Sequence, residues 1–315
     1  MFPLQIVFMG TAELACASLK KLAEQNEFQI VSTVTQPDKP KGRDLKLQPS
    51  FVKKLAQELN LPVLQPAKAR DEIFVESLRA LAPDLIVVVA YGQILPQSIL
   101  DLPRLGCWNV HTSLLPKYRG AAPIQWAILN GESETGVTIM QMDAGLDTGD
   151  ILSQTKTPIA TDDNSQTLHD RLAELGATLL VSTIFDWVAG KIVPKKQAAT
   201  GNSYARKISR EDGKIEWSQP ALKISQRLKA LTPWPGAFTF QTVGGNQRLL
   251  KIWEAKVEPV TGMPGTLLSA DKTGIVVACG ENALRILSLQ REGGRRLGAG
   301  DFLAGSPLVA GNLLG

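Results

Sequence analysis

Residues 5–25 read Q-I-V-F-M-G-T-A-E-L-A-C-A-S-L-K-K-L-A-E-Q. An apolar run from Gln5 to Met9 ends at Gly10-Thr11, and an amphipathic segment from Glu13 to Gln25 follows, which predicts strand, turn and helix in that order. Working outward, the alternation recurs as a β-branched run at Ile30 to Thr35, a helix near Ser50 to Asn60 and a short strand at Val63-Leu64. A helix near Asp71 to Leu81 and a strand from Leu85 to Ala90 extend it. Such alternation predicts an α/β domain with a Rossmann-like, largely parallel sheet covered on both faces. A dinucleotide site would need three glycines at the first turn, for the turn itself, the approach of pyrophosphate and helix packing. The turn F-M-G-T-A-E-L offers one, which argues against a nicotinamide or flavin nucleotide.

The chain has 315 residues, 44% hydrophobic and 20% charged, which is ordinary globular composition with room for two domains. Three cysteines, Cys16, Cys107 and Cys279, lie far apart without metal-ligand spacing, so reduced thiols in a cytoplasmic compartment are expected and no metal site is. The first residues carry no basic leader, and the longest apolar runs are too short to span a bilayer, so a soluble, unprocessed protein without a membrane partner is expected. Residues 208–315 hold 13 Lys+Arg against 9 Asp+Glu, leaving 21 against 21 in residues 1–207. The whole excess of +4 therefore sits in the C-terminal third. A modest surplus of this kind is compatible with a polyanionic partner and equally with a solvated face.

The chemistry is expected at Cys107 to Trp126, C-W-N-V-H-T-S-L-L-P-K-Y-R-G-A-A-P-I-Q-W. Side chains two apart on a strand share a face, so Asn109 and His111 would emerge together where a strand from Gly106 to His111 meets its loop. In open α/β sheets that edge is where ligands bind. The local residues alone are also compatible with a satisfied strand-end histidine and a turn asparagine.

The basic stretch T-Q-P-D-K-P-K-G-R-D-L-K-L-Q-P reads as an exposed, partly stiffened loop carrying Lys39, Lys41, Arg43 and Lys46, either a solvated face or a surface that meets phosphates. Y-G-Q-I-L-P after Ala90 reads as a glycine turn with an apolar wall. Thr135 to Met142 alternates as a strand and ends in M-D-A-G-L-D-T-G-D, whose aspartates read as turn formers. A strand from Ile151 to Pro158 and a helix from Ser165 to about Gly190 follow, with His169 an ordinary helix residue. These features divide the chain into a domain at 1–190, a basic linker at 191–207 and a second domain at 208–315. That second domain opens with a helix near Ala221 to Ala230. Five short runs then follow, Ala237 to Thr242, Leu249 to Val257, Gly265 to Leu268, Ile275 to Ala278 and Leu284 to Leu289, predicting a C-terminal OB-like β-barrel with Trp253 in its core.

The chain resembles the methionyl-tRNA formyltransferases of the folate-dependent formyltransferase superfamily. The resemblance rests on F-M-G-T, Q-P-D-K-P-K-G-R, N-V-H-T-S-L-L-P-K-Y-R-G-A-A-P-I, M-D-A-G-L-D-T-G-D, K-I-S-R-E-D-G-K-I-E-W and F-L-A-G, which together cover nearly the full length. It implies transfer of formyl from 10-formyltetrahydrofolate to the α-amino group of methionine on initiator tRNA, with no obligatory protein partner. It places catalysis at Asn109, His111 and Asp147, and the folate against Ser113, Leu114, Leu115 and Pro116 and the wall formed by Val89, Tyr91, Gly92, Ile94 and Leu95. It implies tRNA contacts at Lys39, Lys41, Arg43 and Lys46 in the basic loop, Arg43 foremost, and at Lys207, Arg210, Arg295 and Arg296. Two departures stand out. Ala12-Glu13-Leu14 replaces the usual proline, acidic residue and phenylalanine, and Arg206 stands where proline is common.

These residue types suit the reaction. An amide donor at Asn109 would stabilise the oxyanion formed when the amine attacks the formyl carbon. An imidazole, with a reference pKa of about 6.5, can accept the amine proton and return it to the leaving nitrogen. Asp147 would accept from the ring, fix its tautomer and stabilise its cation, if folding brings together positions 36 apart. Arg119 would brace the loop against the sheet edge. Relatives acting on sugar-nucleotide amines, glycinamide ribonucleotide or water would share the triad without the basic loop and barrel. A non-catalytic nucleic-acid-binding module would leave the triad unexplained.

Overall fold

The computed structural model describes residues 3–41 and 46–315. The first elements are β1 (Leu4–Gly10), α1 (Leu14–Ala23), β2 (Phe28–Val34), β3 (Lys39–Lys41), β4 (Lys46–Gln48), α2 (Phe51–Glu58), β5 (Val63–Leu64), α3 (Glu72–Ala80) and β6 (Leu85–Val89). Next come α4 (Gln97–Leu100), β7 (Cys107–His111), β8 (Arg119–Gly120), α5 (Pro123–Leu129), β9 (Glu134–Gln141), β10 (Ile151–Pro158), α6 (Ser165–Val188) and β11 (Tyr204–Ala205). The chain closes with α7 (Ala221–Ala230), β12 (Ala237–Val243), β13 (Asn246–Glu258), β14 (Leu267–Asp271), β15 (Gly274–Ala278), β16 (Ala283–Arg291), β17 (Leu297–Gly298) and α8 (Ala299–Gly305). Contacts divide it into two compact units. One comprises Met1–Pro123, Glu134–Pro158 and His169–Ala205; the other comprises Ile124–Ser133, Ile159–Leu168 and Arg206–Gly315.

The first unit is built on a seven-stranded sheet in the order β10-β9-β7-β6-β1-β2-β5. The run from β7 to β5 is parallel, and β9 and β10 add an antiparallel edge. Ile6, Val7, Phe8 and Met9 are all fully buried, as are Leu85, Ile86 and Val87, because helices cover both faces of these central strands. On one face Val7, Met9, Ile86 and Val88 pack with Phe74, Val75 and Leu78 of α3 and Ile99 of α4. On the other, Trp108 meets Trp187 of α6 edge to face with centroids 5.4 Å apart, and a Cβ at Gly176 would lie 2.9 Å from Val110. The helix starts are chemically specified. Ser50 Oγ accepts from Lys53 N at 3.0 Å and Asp71 Oδ1 from Ile73 N at 3.0 Å, so both residues are caps just outside the helices expected to include them.

Two segments differ from the sequence expectation. The basic stretch is not a plain loop: Lys39 pairs with Gln48, Pro40 with Leu47 and Lys41 with Lys46 in an antiparallel ladder, with residues 42–45 outside the description. Residues 191–205, aperiodic in sequence, are tied to the first unit by tertiary hydrogen bonds that no local pattern reveals. Lys195 pairs with Ile151, and β11 forms a parallel two-stranded ladder with β8.

The second unit contains an antiparallel sheet in the order β12-β13-β16-β15-β14, with β17 beside β16. It curls into the OB-like barrel that the spacing of short strands predicts, helped by register shifts around Glu254 in the long β13. The open edges are joined by the last residues of the chain. Leu314 pairs with Gln241 of β12, Leu313 pairs with Thr266, and Leu267 N of β14 donates to Asn312 O at 2.8 Å. Leu314 joins the core with Ile215, Trp217, Ile252, Ile286 and Phe302. Trp253 does not. It follows inward-facing Ile252, so the alternation turns its ring outward, where it is half-buried with Nε1 on Gln290 Oε1 at 2.9 Å. Lys251 Nζ and the Arg296 guanidinium lie 5.7 and 5.8 Å from its centroid. Arg206, the departure noted in the sequence, pairs with Asp212 and stacks over Trp126 at 5.2 Å.

Because Leu314 is buried and Leu313 exposed at the closure, Leu314→Ala should lower the unfolding free energy by about 2–4 kcal/mol. Leu313→Ala should change it by less than about 0.5 kcal/mol. Urea denaturation of the two variants measures both, and equal losses would contradict a closure held by Leu314.

Candidate active site

The strand order reverses between β1 and β6, and a cavity of about 550 Å³ opens beside their carboxyl ends. Its apolar wall comes from Leu14, Val88, Ile94, Leu95, Met140 and Met142, and Asn109, His111 and Asp147 line it together. Asn109 pairs with Met140 across β7 and β9, which sets the register of the asparagine, the histidine and the methionine wall.

His111 is buried, and Nε2 lies 2.9 Å from the carbonyl oxygen of Tyr118. A carbonyl only accepts, so Nε2 carries the ring hydrogen and a neutral ring presents its lone pair at Nδ1. Asp147 Oδ2 stands 3.8 Å from Nδ1, close enough to attract a proton bound there and too far to hydrogen-bond the neutral ring. The tautomer is therefore set by the Tyr118 carbonyl and not by Asp147, contrary to the sequence expectation. The carboxylate is itself fixed, Oδ1 accepting from Asn109 Nδ2 at 3.3 Å and Oδ2 from Gly120 N at 2.8 Å.

Strained backbone surrounds these groups. Ala90, Tyr118 and Asp147 have φ of 44°, 60° and 52°, left-handed values costly for residues with a Cβ. Gly120 has φ 109°, and a Cβ there would lie 2.7 Å from the Tyr204 ring and 2.8 Å from Ala205 O, so the amide that holds Asp147 requires glycine.

The other expected residues divide. Tyr91, Gly92, Ile94 and Leu95 line the cavity, whereas Val89 is buried away from it between the lining residues Val88 and Ala90. Ser113, Leu114, Leu115 and Pro116 are not on the cavity wall. They form a turn held against the sheet, Thr138 Oγ1 donating to Ser113 O at 2.7 Å and accepting from Leu115 N at 3.1 Å. Tertiary bonding thus makes this turn a support of the site. Lys39 and Lys41 lie on β3 and Lys46 opens β4, while Arg43 lies outside the described residues. Lys207, Arg210 and Arg295 are exposed; Arg296 donates to Ser288 Oγ at 2.8 Å beside Trp253. Arg119 donates to Gln197 Oε1 at 2.7 Å, so it braces residues 191–205 and not the sheet edge. Met140 on β9 and Met142 just past its end were not among the expected site residues; their spacing of two is the sequence signal that pairs them. Leu14, the departure from phenylalanine, is part of the wall.

An α/β sheet with an Asn, His and Asp set at its switch point, followed by an OB-like barrel, is the arrangement that the resemblance to the formyltransferases implies. The family model of formyl transferase matches residues 4–184, and that of the formyl transferase C-terminal domain matches 207–307. The chain belongs to the formyl transferase family. Relatives from Citrifermentans bemidjiense and Geobacter sulfurreducens, each named methionyl-tRNA formyltransferase, are 51% and 50% identical over 312 residues. The alignments cover 99% of this chain and 96% and 97% of theirs. Among solved structures, an N-formyltransferase from Helicobacter canadensis, in complex with folinic acid and dTDP-3-aminofucose, is similar with TM-score 0.63 and 19% identity, over 91% of this chain and 99% of that one. HypX from Aquifex aeolicus in complex with tetrahydrofolic acid gives TM-score 0.61 and 17% identity over 98% of this chain, which spans 50% of HypX. At these identities the two structures speak for the fold.

Cys107 starts the strand that carries Asn109 and His111, but its Sγ faces Ile99 O at 3.6 Å, and burial first, then Asp101, pushes its pKa up to about 12. Burial likewise raises Cys16 and Cys279 to about 11 from the ordinary 9.0. Folded pKa values above the unfolded ones mean stability fully present below pH 9.0 and lost as pH rises towards about 11 to 12. Denaturation at pH 8 and at pH about 10.5 should show this loss, with a shallower decline in Cys107→Ala; identical pH slopes would contradict it.

Proposed function

We propose that the chain transfers the formyl group of 10-formyltetrahydrofolate to the α-amino group of methionine on initiator tRNA, giving formylmethionyl-tRNA for translation initiation in the cytoplasm. The observation that carries this reading is the convergence of Asn109, His111 and Asp147 on one cavity in a chain about half identical to relatives named for that reaction. A cavity of about 550 Å³ with an apolar wall and polar groups at one end suits a flat heterocyclic donor. The Tyr91 to Leu95 wall holds that ring in this reading, and the donor supplies an activated formyl carbon on a nitrogen leaving group.

Each residue then has one task. Asn109 shares one N–H with Asp147 and directs the other to the formyl oxygen, meeting negative charge as the amine attacks. His111, with Nε2 committed to Tyr118, works through Nδ1: it takes the proton the amine loses and passes it to the folate nitrogen as the carbon–nitrogen bond breaks. Asp147 stabilises the imidazolium between these steps. Its Oδ2, 3.8 Å from Nδ1, is close enough to attract a proton held there. The cations at Lys39, Lys41, Arg43 and Lys46, with Lys207, Arg210, Arg295 and Arg296, meet tRNA phosphates in this proposal, and phosphate contacts of this kind make affinity fall with salt.

The test is transfer of labelled formyl from 10-formyltetrahydrofolate to charged initiator tRNA. His111→Ala should abolish it, and Asn109→Ala should lower kcat by about 10²–10³-fold. Arg43→Ala should raise KM for tRNA and reduce its salt dependence while leaving KM for the donor unchanged. A well-folded parent that formylates a sugar-nucleotide amine and not the tRNA would keep the chemistry and overturn the acceptor.

A further inference from the structure

Residues 195–205 of the first unit hold the imidazole's surroundings from both sides, although none of their side chains lines the cavity. Gln197 Nε2 donates to Asp147 O and to Gly149 O, each at 2.8 Å, pinning the turn in which Asp147 is left-handed. The other end of the same amide accepts from Arg119, Nη2 at 2.7 Å and Nε at 3.1 Å, so its orientation is settled. Six residues further on, Ser203 Oγ accepts from Tyr118 N at 2.9 Å and Ser203 O accepts from Arg119 N at 2.9 Å. Ala205 O accepts from Ala121 N at 2.9 Å, and this ladder closes against Gly120, whose amide binds Asp147.

One stretch of chain therefore grips the backbone of Tyr118, which takes the Nε2 hydrogen, and the backbone of Asp147, which faces Nδ1. Both residues are left-handed, and such conformations persist only where the surroundings over-determine them. We propose that Gln197 and Ser203 are positioning residues of the transfer reaction, holding the two groups that fix the tautomer and the cation of His111. This rests on the reading of His111 as the proton-transfer group. Of the charged groups nearby, Asp147 faces the ring, Arg119 is committed to Gln197, and Asp143, which lines the same cavity, has Oδ1 accepting from Gly145 N at 3.0 Å and Thr148 Oγ1 at 2.7 Å.

The experiment combines steady-state formyl transfer with ¹⁵N-histidine NMR, which resolves readily because the chain has two histidines. In the parent, His111 should show the Nε2–H tautomer. Ser203→Ala and Gln197→Ala should each lower kcat by about tenfold or more, with KM for donor and tRNA within about twofold, since misplacement of a reacting group is costly without loss of binding. Ser203→Ala should mix the His111 tautomers, and Ser203→Thr, which keeps the hydroxyl, should restore both signal and rate. Gln197→Glu keeps an acceptor for Arg119 but loses both donors, so it should fall with Gln197→Ala and guards against a misfolded alanine variant. Parental kcat and unaltered His111 signals in both alanine variants, with His111→Ala inactive, would overturn the positioning role alone. Full activity in His111→Ala would overturn the underlying reading instead.

Discussion

An imidazole that must carry its hydrogen on a defined nitrogen constrains everything near it. Here the constraint is the 2.9 Å contact between His111 Nε2 and the Tyr118 carbonyl, which leaves Nδ1 as the atom facing Asp147. The contact forms with Tyr118 left-handed and Gly120 lying against β11. The turn at 113–116 is then held on Thr138, and Gly120 offers its amide to the carboxylate. Asn109, two residues before the histidine, reaches the same carboxylate from the strand.

The cost is concentrated in backbone conformation. Left-handed residues other than glycine each cost of order 1–3 kcal/mol, and three of those found here, Ala90, Tyr118 and Asp147, belong to the site or its frame. The sheet beneath them shows no such tension, with central strands buried on both faces and helices started by ordinary caps. A rigid scaffold with strain confined to its loops is what allows three side chains from two separated sequence segments to keep fixed distances.

The second unit solves a different problem, the exposed edges of an antiparallel sheet. Its closing residues cover both edges at once, and the cations around Trp253 are partly engaged internally, Lys251 with Pro235 O at 3.0 Å and Arg296 with Ser288. These cations keep their charge, but part of their N–H donor capacity is already used inside the unit and not left for a phosphate. Arg206 is the clearest case, since its guanidinium is committed to Asp212, whose carboxyl it holds well below the usual range.

Sequence by itself determined the layered architecture, the OB-like barrel, and the pairing of Asn109 with His111 on one strand face. These follow from local periodicity, in which burial repeats every two or every three to four residues and can be counted along the chain. The resemblance carried by its motifs placed Tyr91, Gly92, Ile94 and Leu95 beside the cavity, and Val89 as well, which the fold buries away from it. What depends on hydrogen bonds between distant segments was decided by tertiary structure alone. Thr138 draws residues 113–116 onto the sheet, Tyr118 takes the histidine hydrogen that a sequence argument assigns to Asp147, and Trp253 turns outward on the bulged β13. Residues 191–205 carry no period because they are ordered by partners more than 40 positions away, such as Gln197 on Asp147 and Ser203 on Tyr118. Local chemistry selects which groups can react; their mutual distances are set by contacts that close only when the chain has folded.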